Sequence, residues 1–354
     1  MSRFFSEKYK SLVPYTPGEQ PKGMKYIKLN TNESPFPPSK KAVEYAAREA
    51  EKYQLYSDPE CAELVNAAAQ FFGVEKDEIL FTNGSDEILN FAFMAYCDKD
   101  HPAYFPNITY GFYSVFAEIN NIPYTEIPLK SDFTIDISDY EGKKGAIFIA
   151  NPNAPTGIAL ALSEVERIIK ANTQSVVVID EAYVDFGAES AVPLIKKYDN
   201  LLVTQTFSKS RSMAGARLGF GIGSKELIRD LNTIKYSTNP YNVNRTTMAA
   251  GVGALEDNDY TLENCKRIIA TRERAAKALR ELGFEMTESS ANFIFARHPK
   301  VSGEKIYLDL KNAGILVRHF NKPDLCEYNR ITVGTDEQMD ALILAITEII
   351  GENK

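Results

Sequence analysis

The sequence predicts an α/β fold: a mostly parallel central sheet flanked by helices, followed by a smaller α+β C-terminal domain. Three observations predict it. GAIFIA (145–150) and SVVVID (175–180) are continuous apolar runs, the mark of strands buried on both faces. A helical stretch, SEVERIIKAN, lies between them, as a parallel connection requires. From about Asn244 the pattern changes to one long helical region, short strands and a terminal helix.

In chain order, the segment 1–31 is an extended N-terminal arm, rich in proline and glycine (VPYTPGEQPKG), expected to pack with the small domain. Residues 32–242 form the large domain and 243–354 the small one. Lys40–Tyr53 has helical composition, with Ser39 as a plausible N-cap, and Glu60–Phe72 is a second helix. EILFT (78–82) is a short strand, after which Ser85 and Asp86 open the helix EILNFAFMAY. LLVTQTF (201–207) is another strand. In the small domain, NCKRIIATRERAAKALRELG is helical, ANFIFAR, GILVRHF and RITVGT are strands, and DEQMDALILAITEII is the last helix. No internal repeat interrupts the series.

Composition narrows the function. A net charge of −8, with both signs interspersed, argues against a nucleic-acid-binding face. The cysteines at 61, 97, 265 and 326 have neither metal-ligand nor redox spacing, and His101, His298 and His319 share none, so no metal site is expected. MSRFFSEKYKSLVPY lacks the apolar core of a signal peptide, and no run approaches the ~20 apolar residues of a membrane span. A reducing, cytoplasmic location is the expectation.

In sheets of this kind ligands sit at the carboxyl ends of the strands. Asp180 ends one strand, and a carboxylate buried there needs a partner. Tyr183 follows it. In TNGSDE (82–87), Gly84 permits a tight turn, and the amides of Ser85 and Asp86 begin a helix, a ready anion site. NPNAPTG (151–157) is an irregular turn after another strand. FSKSRSMAGARLGF (207–220) brings Lys209 and then Arg217 after a fourth. A lone lysine is usually solvated surface. An amine for an aldehyde, an acid for a ring nitrogen and donors for a phosphate are together the set that pyridoxal phosphate requires. A nicotinamide enzyme would carry G-x-G-x-x-G after its first strand; GFGIGS at 219–224 lacks that spacing and lies too late.

The order of VPYTPG, LNTNESP, YSDP, TNGSDE, NPNAPTG, DEAYVDF, TFSKSRSMAGARLGF, PYNVN, SSANFIF, GILVRHF and RITVGT resembles the fold-type I pyridoxal-phosphate aminotransferases, and among them the histidinol-phosphate aminotransferases, over nearly the whole chain. The resemblance implies transamination between L-histidinol phosphate and 2-oxoglutarate by a homodimer with shared active sites. Threonine-phosphate decarboxylases and aromatic or broad-range aminotransferases share several of these motifs. A binding protein that keeps the fold without turnover is disfavoured, because Lys209, Asp180 and Arg217 are intact.

Carried over motif by motif, the resemblance makes Lys209 the residue that bonds the cofactor's aldehyde carbon. It pairs Asp180 with the ring nitrogen and Tyr183 with the ring hydroxyl, and sets Tyr110 against the ring. Thr206, Ser208, Arg217 and the amides of Ser85 and Asp86 hold the phosphate, which Tyr56 reaches from the neighbouring subunit. Arg330 grips the substrate carboxylate, with Arg318 and Tyr15 beside it. One position departs from the pattern. The related turn reads NPNNPTG, and its asparagine before Pro-Thr-Gly bonds the ring hydroxyl; here that residue is Ala154, leaving the adjacent Asn153 as a cofactor-binding candidate.

Overall fold

A computed structural model describes residues 2–10, 12–14, 18–20 and 25–352. The arm enters as a two-residue strand, β1 (Ile27–Lys28). Two helices follow, α1 (Lys40–Ala50) and α2 (Ala62–Phe72). Ser39 caps α1, its hydroxyl accepting from the Ala42 amide at 3.2 Å. The second helix starts at Ala62 rather than Glu60 because the Asp58 carboxylate takes the amides of Glu60 and Ala62, at 3.0 and 2.8 Å.

The central sheet has seven strands: β2 (Ile79–Asn83), β3 (Ala103–Pro106), β4 (Tyr124–Ile127), β5 (Ile147–Ala150), β6 (Val177–Asp180), β7 (Leu201–Thr206) and β8 (Leu218–Gly223). Their order is β2-β8-β7-β6-β5-β3-β4. All run parallel except β8, which is antiparallel to both neighbours. Successive side chains alternate between the faces. Ile147, Ile149, Val177, Ile179, Leu201 and Val203 pack into one core, with α1, α2 and α5 (Leu162–Ala171). Phe148, Val178 and Leu202 pack into the other, with α3 (Ser85–Tyr96), α4 (Phe112–Ile119) and α6 (Lys225–Thr238). Strands β3, β4 and β8 and helices α4 and α6 are additions to the sequence reading.

The next helix, α7 (Arg245–Glu256), buries Ala250, Val252, Ala254 and Leu255 in the first core, beside the seven-stranded sheet. This helix thus packs with the seven-stranded sheet although it follows residue 243, where the sequence pattern changes. Helix α8 (Asn258–Glu281) starts earlier than expected. The rest comprises β9 (Glu285–Met286), β10 (Phe293–Arg297), α9 (Gly303–Asn312), β11 (Ile315–Leu316), β12 (Arg318–His319), β13 (Asn329–Thr332) and α10 (Asp336–Glu352). An antiparallel sheet of order β12-β13-β10-β9 packs on α8, α9 and α10 through a third core containing Ile294, Ile331, Leu310 and Leu342. The N-terminal segment joins this unit: β1 pairs in parallel with β11, and Leu29 sits in the same core.

Candidate active site

The carboxyl ends of β5, β6 and β7, at Ala150, Asp180 and Thr206, open into one cavity of about 350 Å³. Of the residues expected to bind a cofactor, Lys209, Asp180, Tyr183, Tyr110, Ser85, Asp86, Thr206, Ser208 and Arg217 all line it. Residues scattered over more than a hundred positions thus converge because parallel strands present their ends on one edge.

Asp180 is 4% exposed. Its Oδ2 accepts from Tyr113 Oη at 3.0 Å and its Oδ1 from the Ala182 amide at 3.2 Å. Burial pushes its carboxyl up to about 6, against the pull of the Tyr113 hydrogen bond and, more weakly, of Lys209. Tyr113 is wholly buried, and burial followed by the Asp180 charge drives its phenol well above the ordinary range, so it stays a donor. Lys209 places its Nζ 5.7 Å from the centre of the Tyr183 ring.

The opposite wall is a cradle. Helix α3 begins after Gly84, whose φ of +77° is open to glycine. Strand β8 crosses directly beneath: a Cβ on Gly219 would fall 2.2 Å from the Ser85 nitrogen. Arg217 leaves η-nitrogen Nη2 3.2 Å from Asp86 Oδ2, while Tyr110 Oη donates to Asp86 Oδ1 at 2.7 Å. The Asp86 side chain therefore fixes an arginine and a tyrosine, and its amide faces the same helix terminus. Thr206 Oγ1 donates to Ser208 Oγ at 3.0 Å and accepts from the Ser208 amide at 3.1 Å.

Other expected residues lie elsewhere. Asn153, the remaining cofactor-binding candidate, is not among the residues that line the cavity. Its Oδ1 accepts from Thr109 Oγ1 (2.8 Å), and its Nδ2 donates to the Ile108 carbonyl (2.9 Å) and Thr156 Oγ1 (3.1 Å). The amide is spent on holding the turn, and Ala154 faces the cavity instead. Tyr56 is 81% exposed and stacks on Tyr241 at 4.8 Å, away from its own chain's cavity. Arg318 and Arg330 sit on β12 and β13. Arg330 Nη2 donates to the Asn30 carbonyl at 3.2 Å, next to Thr31, which lines the cavity. Tyr15 lies outside the described residues.

Two residues hydrogen-bonded to lining side chains escaped the sequence reading. Tyr113 is one. Asn32 is the other, donating from Nδ2 to Tyr183 Oη at 2.9 Å. Asn32 lies in the quoted motif LNTNESP, but its contact, like that of Tyr113, is not given by spacing, because each partner is remote along the chain. Among the described residues, no cluster of histidine, cysteine and acidic side chains is arranged to hold a metal ion.

The chain belongs to the class I and II aminotransferases, whose family model matches residues 24–346. Within that family it is 51% identical over 354 residues to the histidinol-phosphate aminotransferase of Brachyspira hyodysenteriae, covering 99% of each chain. It is 46% identical to that of Clostridium acetobutylicum, over 99% of this chain and 100% of the relative. Among solved structures, it superposes on the histidinol-phosphate aminotransferase from Sinorhizobium meliloti in complex with pyridoxal-5'-phosphate with a TM-score of 0.90, at 23% identity and 99% coverage of both chains. That last likeness establishes the fold, which is the fold-type I aminotransferase architecture.

Proposed function

We propose that this aminotransferase uses pyridoxal phosphate to move an amino group between L-histidinol phosphate and 2-oxoglutarate, giving imidazole-acetol phosphate and glutamate in histidine biosynthesis. The observation that carries the reading is the convergence of Lys209, Asp180 and Arg217 on one cavity. The full-length relatives named above favour these substrates.

The residues present fit the cofactor. Asp180 is a buried carboxylate without a cationic hydrogen-bond partner among the described residues, and a protonated ring nitrogen would be one. Arg217, Thr206, Ser208 and the first amides of α3 form an anion cradle at the other wall. Tyr183, also in the lining, offers a phenol for the ring oxygen. When bound, pyridoxal phosphate supplies an aldehyde carbon that takes up the amino group and a ring that draws off electrons from the substrate's α-carbon.

On this reading Asp180 holds the proton on the ring nitrogen, and Lys209 Nζ is the base that moves the proton at the substrate's α-carbon. Tyr110 packs against the ring. Arg330 and Arg318 bind the substrates' anionic groups, with Tyr15 assigned to the same pocket. A planar guanidinium can grip a carboxylate or a phosphate in a bidentate way, so one pair can serve both half-reactions. Residues 32–242 are the cofactor-binding domain and 243–354 the small one, with α7 packing against the former.

The chain acts as a homodimer, with Tyr56 reaching the phosphate site of a second copy. Support comes from its exposure, shared with Val43, Tyr53 and Leu55 on the same stretch of chain. A cytoplasmic location belongs to the same proposal, in keeping with the buried free thiols of Cys61, Cys97 and Cys265. Among the described residues, no helix is long and apolar enough to cross a membrane.

The deciding experiment compares histidinol phosphate, phenylalanine and threonine phosphate as substrates of the reconstituted enzyme with 2-oxoglutarate. Preferential turnover of histidinol phosphate is expected. Selective turnover of phenylalanine, or carbon dioxide release from threonine phosphate, overturns the assignment.

A further inference from the structure

Ala154 leaves the cavity wall without the amide that the related turn carries, and a different asparagine stands behind Tyr183. Asn32 Nδ2 donates to Tyr183 Oη at 2.9 Å, the phenol's one hydrogen bond among the described residues. Its backbone N–H donates to Thr332 Oγ1 at 2.9 Å, and that hydroxyl donates back to Asn32 Oδ1 at 3.0 Å. Asn32 and Thr332 are both buried.

This closed ring sets the direction of each proton in it. With the Asn32 amide turned over, the Thr332 hydroxyl hydrogen would have no acceptor among the described residues, which is costly in a buried site. Asn32 therefore presents its NH2 group, not its oxygen, to the phenol. A tyrosine oxygen that accepts from Asn32 keeps its own hydrogen for another acceptor. Tyr183 lines the cavity, so that acceptor belongs there. Asn32 is itself held in place: its φ of +55° lies in the left-handed region that asparagine tolerates, and Asn292 Nδ2 donates to its carbonyl at 3.0 Å.

We propose that Asn32 is a positioning residue: by donating to Tyr183 Oη it turns the phenol hydrogen into the cavity, toward the ring oxygen of bound pyridoxal phosphate. It thereby supplies, through Tyr183, the orientation that Ala154 cannot. The inference rests on the cofactor reading above. The titratable groups that share the cavity or the packing of Tyr183 are Lys209, Asp180, Asp86, Glu33, Tyr110, Arg217 and Cys265.

The test is a pH titration of the visible absorption of the holoenzyme reconstituted with pyridoxal phosphate. A hydrogen bond to the ring oxygen favours its ionised form, so losing that bond raises the midpoint. N32G removes the amide while keeping a backbone that accepts positive φ. Its midpoint is expected to rise by about one pH unit, the scale of a single hydrogen bond to a charged group. Adding A154N to N32G supplies a second donor to the ring oxygen and brings the midpoint back toward wild type. An N32G holoenzyme with the wild-type midpoint overturns the proposal. If N32G does not hold the cofactor, N32D and N32D/A154N decide instead: return of a raised midpoint on adding the asparagine supports the proposal, and no return overturns it. A wild type with no visible band when incubated with pyridoxal phosphate sinks the cofactor reading itself, which is a distinguishable failure.

Discussion

Arg318 and Arg330 are cross-strand partners, directly opposite each other where β12 meets β13. Like charges so placed destabilise a sheet unless something lies between or beside them. Their side chains lean on aromatic rings, Arg330 on Phe293 at 5.4 Å and Arg318 on Phe320 at 5.8 Å. On the proposed reading, the anionic group of a substrate binds beside this pair. R330K keeps the charge but loses the planar fork, and R318A loses one of the two charges. Each is expected to lower kcat/KM by roughly 10- to 100-fold, the worth of a charge-assisted hydrogen bond. Steady-state kinetics with glutamate and with histidinol phosphate measure it, and the losses should fall mainly on KM.

Asp180 gives the cofactor-free protein a pH dependence of known sign. Its carboxyl is raised from 3.8 to about 6, chiefly by burial. Between those values the folded chain holds a proton that the unfolded chain has released. Stability therefore falls as pH rises through roughly 4 to 6, by about 3 kcal/mol in all. D180N removes that slope. Glu181, raised from 4.5 to about 7 by burial, leaves behind a dependence of similar size that extends to higher pH. Denaturant titrations of wild type and D180N across this range, both without pyridoxal phosphate, make the comparison. Saturating cofactor should flatten the wild-type slope, because a cation beside Asp180 returns it to the ionised form.

Glycine at 219 is demanded by the approach of β8 to the start of α3. G219A places a carbon 2.2 Å from the Ser85 nitrogen, and backbone must move. A loss of about 1–3 kcal/mol is expected, together with weaker phosphate binding. G351A is the control, since nothing lies within 4 Å of the added carbon and Gly351, in α10, does not line the cavity. Thermal melts and the apparent Kd for pyridoxal phosphate separate the two variants.

Shared sites predict complementation. Tyr56→Ala and Lys209→Ala subunits are each defective, the second by roughly a thousandfold or more because it lacks the proton-moving base. In a mixed dimer one of the two sites has both residues intact. Activity should reappear on subunit exchange. Exchange confirmed by mass-tagged chains with no gain of activity rules out the shared site.

The strand ends were legible in the sequence because apolar runs announce parallel strands, and whatever follows such a strand lies near the ligand edge. That logic reached Asp180, Tyr183, Lys209 and Arg217 without any knowledge of side-chain contacts. It missed β8, since LGFGIG reads as a loop; its glycines answer to neighbouring backbone, which composition does not reveal. The family pattern, not this logic, named Asn153, whose amide bonds locally to Thr109 and Thr156. The contacts of Tyr113 and Asn32 were not legible because their partners are set by tertiary packing rather than by spacing.

The Asn32–Thr332 ring joins positions 300 residues apart, and Leu29 pairs with the same distant strand through the Thr332 amide. During synthesis the beginning of the chain leaves the ribosome long before these partners exist. The seven-stranded sheet can assemble while Asn32 still waits. The Asn32 that bonds Tyr183 is thus fixed only once β13 has been translated and has folded back onto the N-terminal segment.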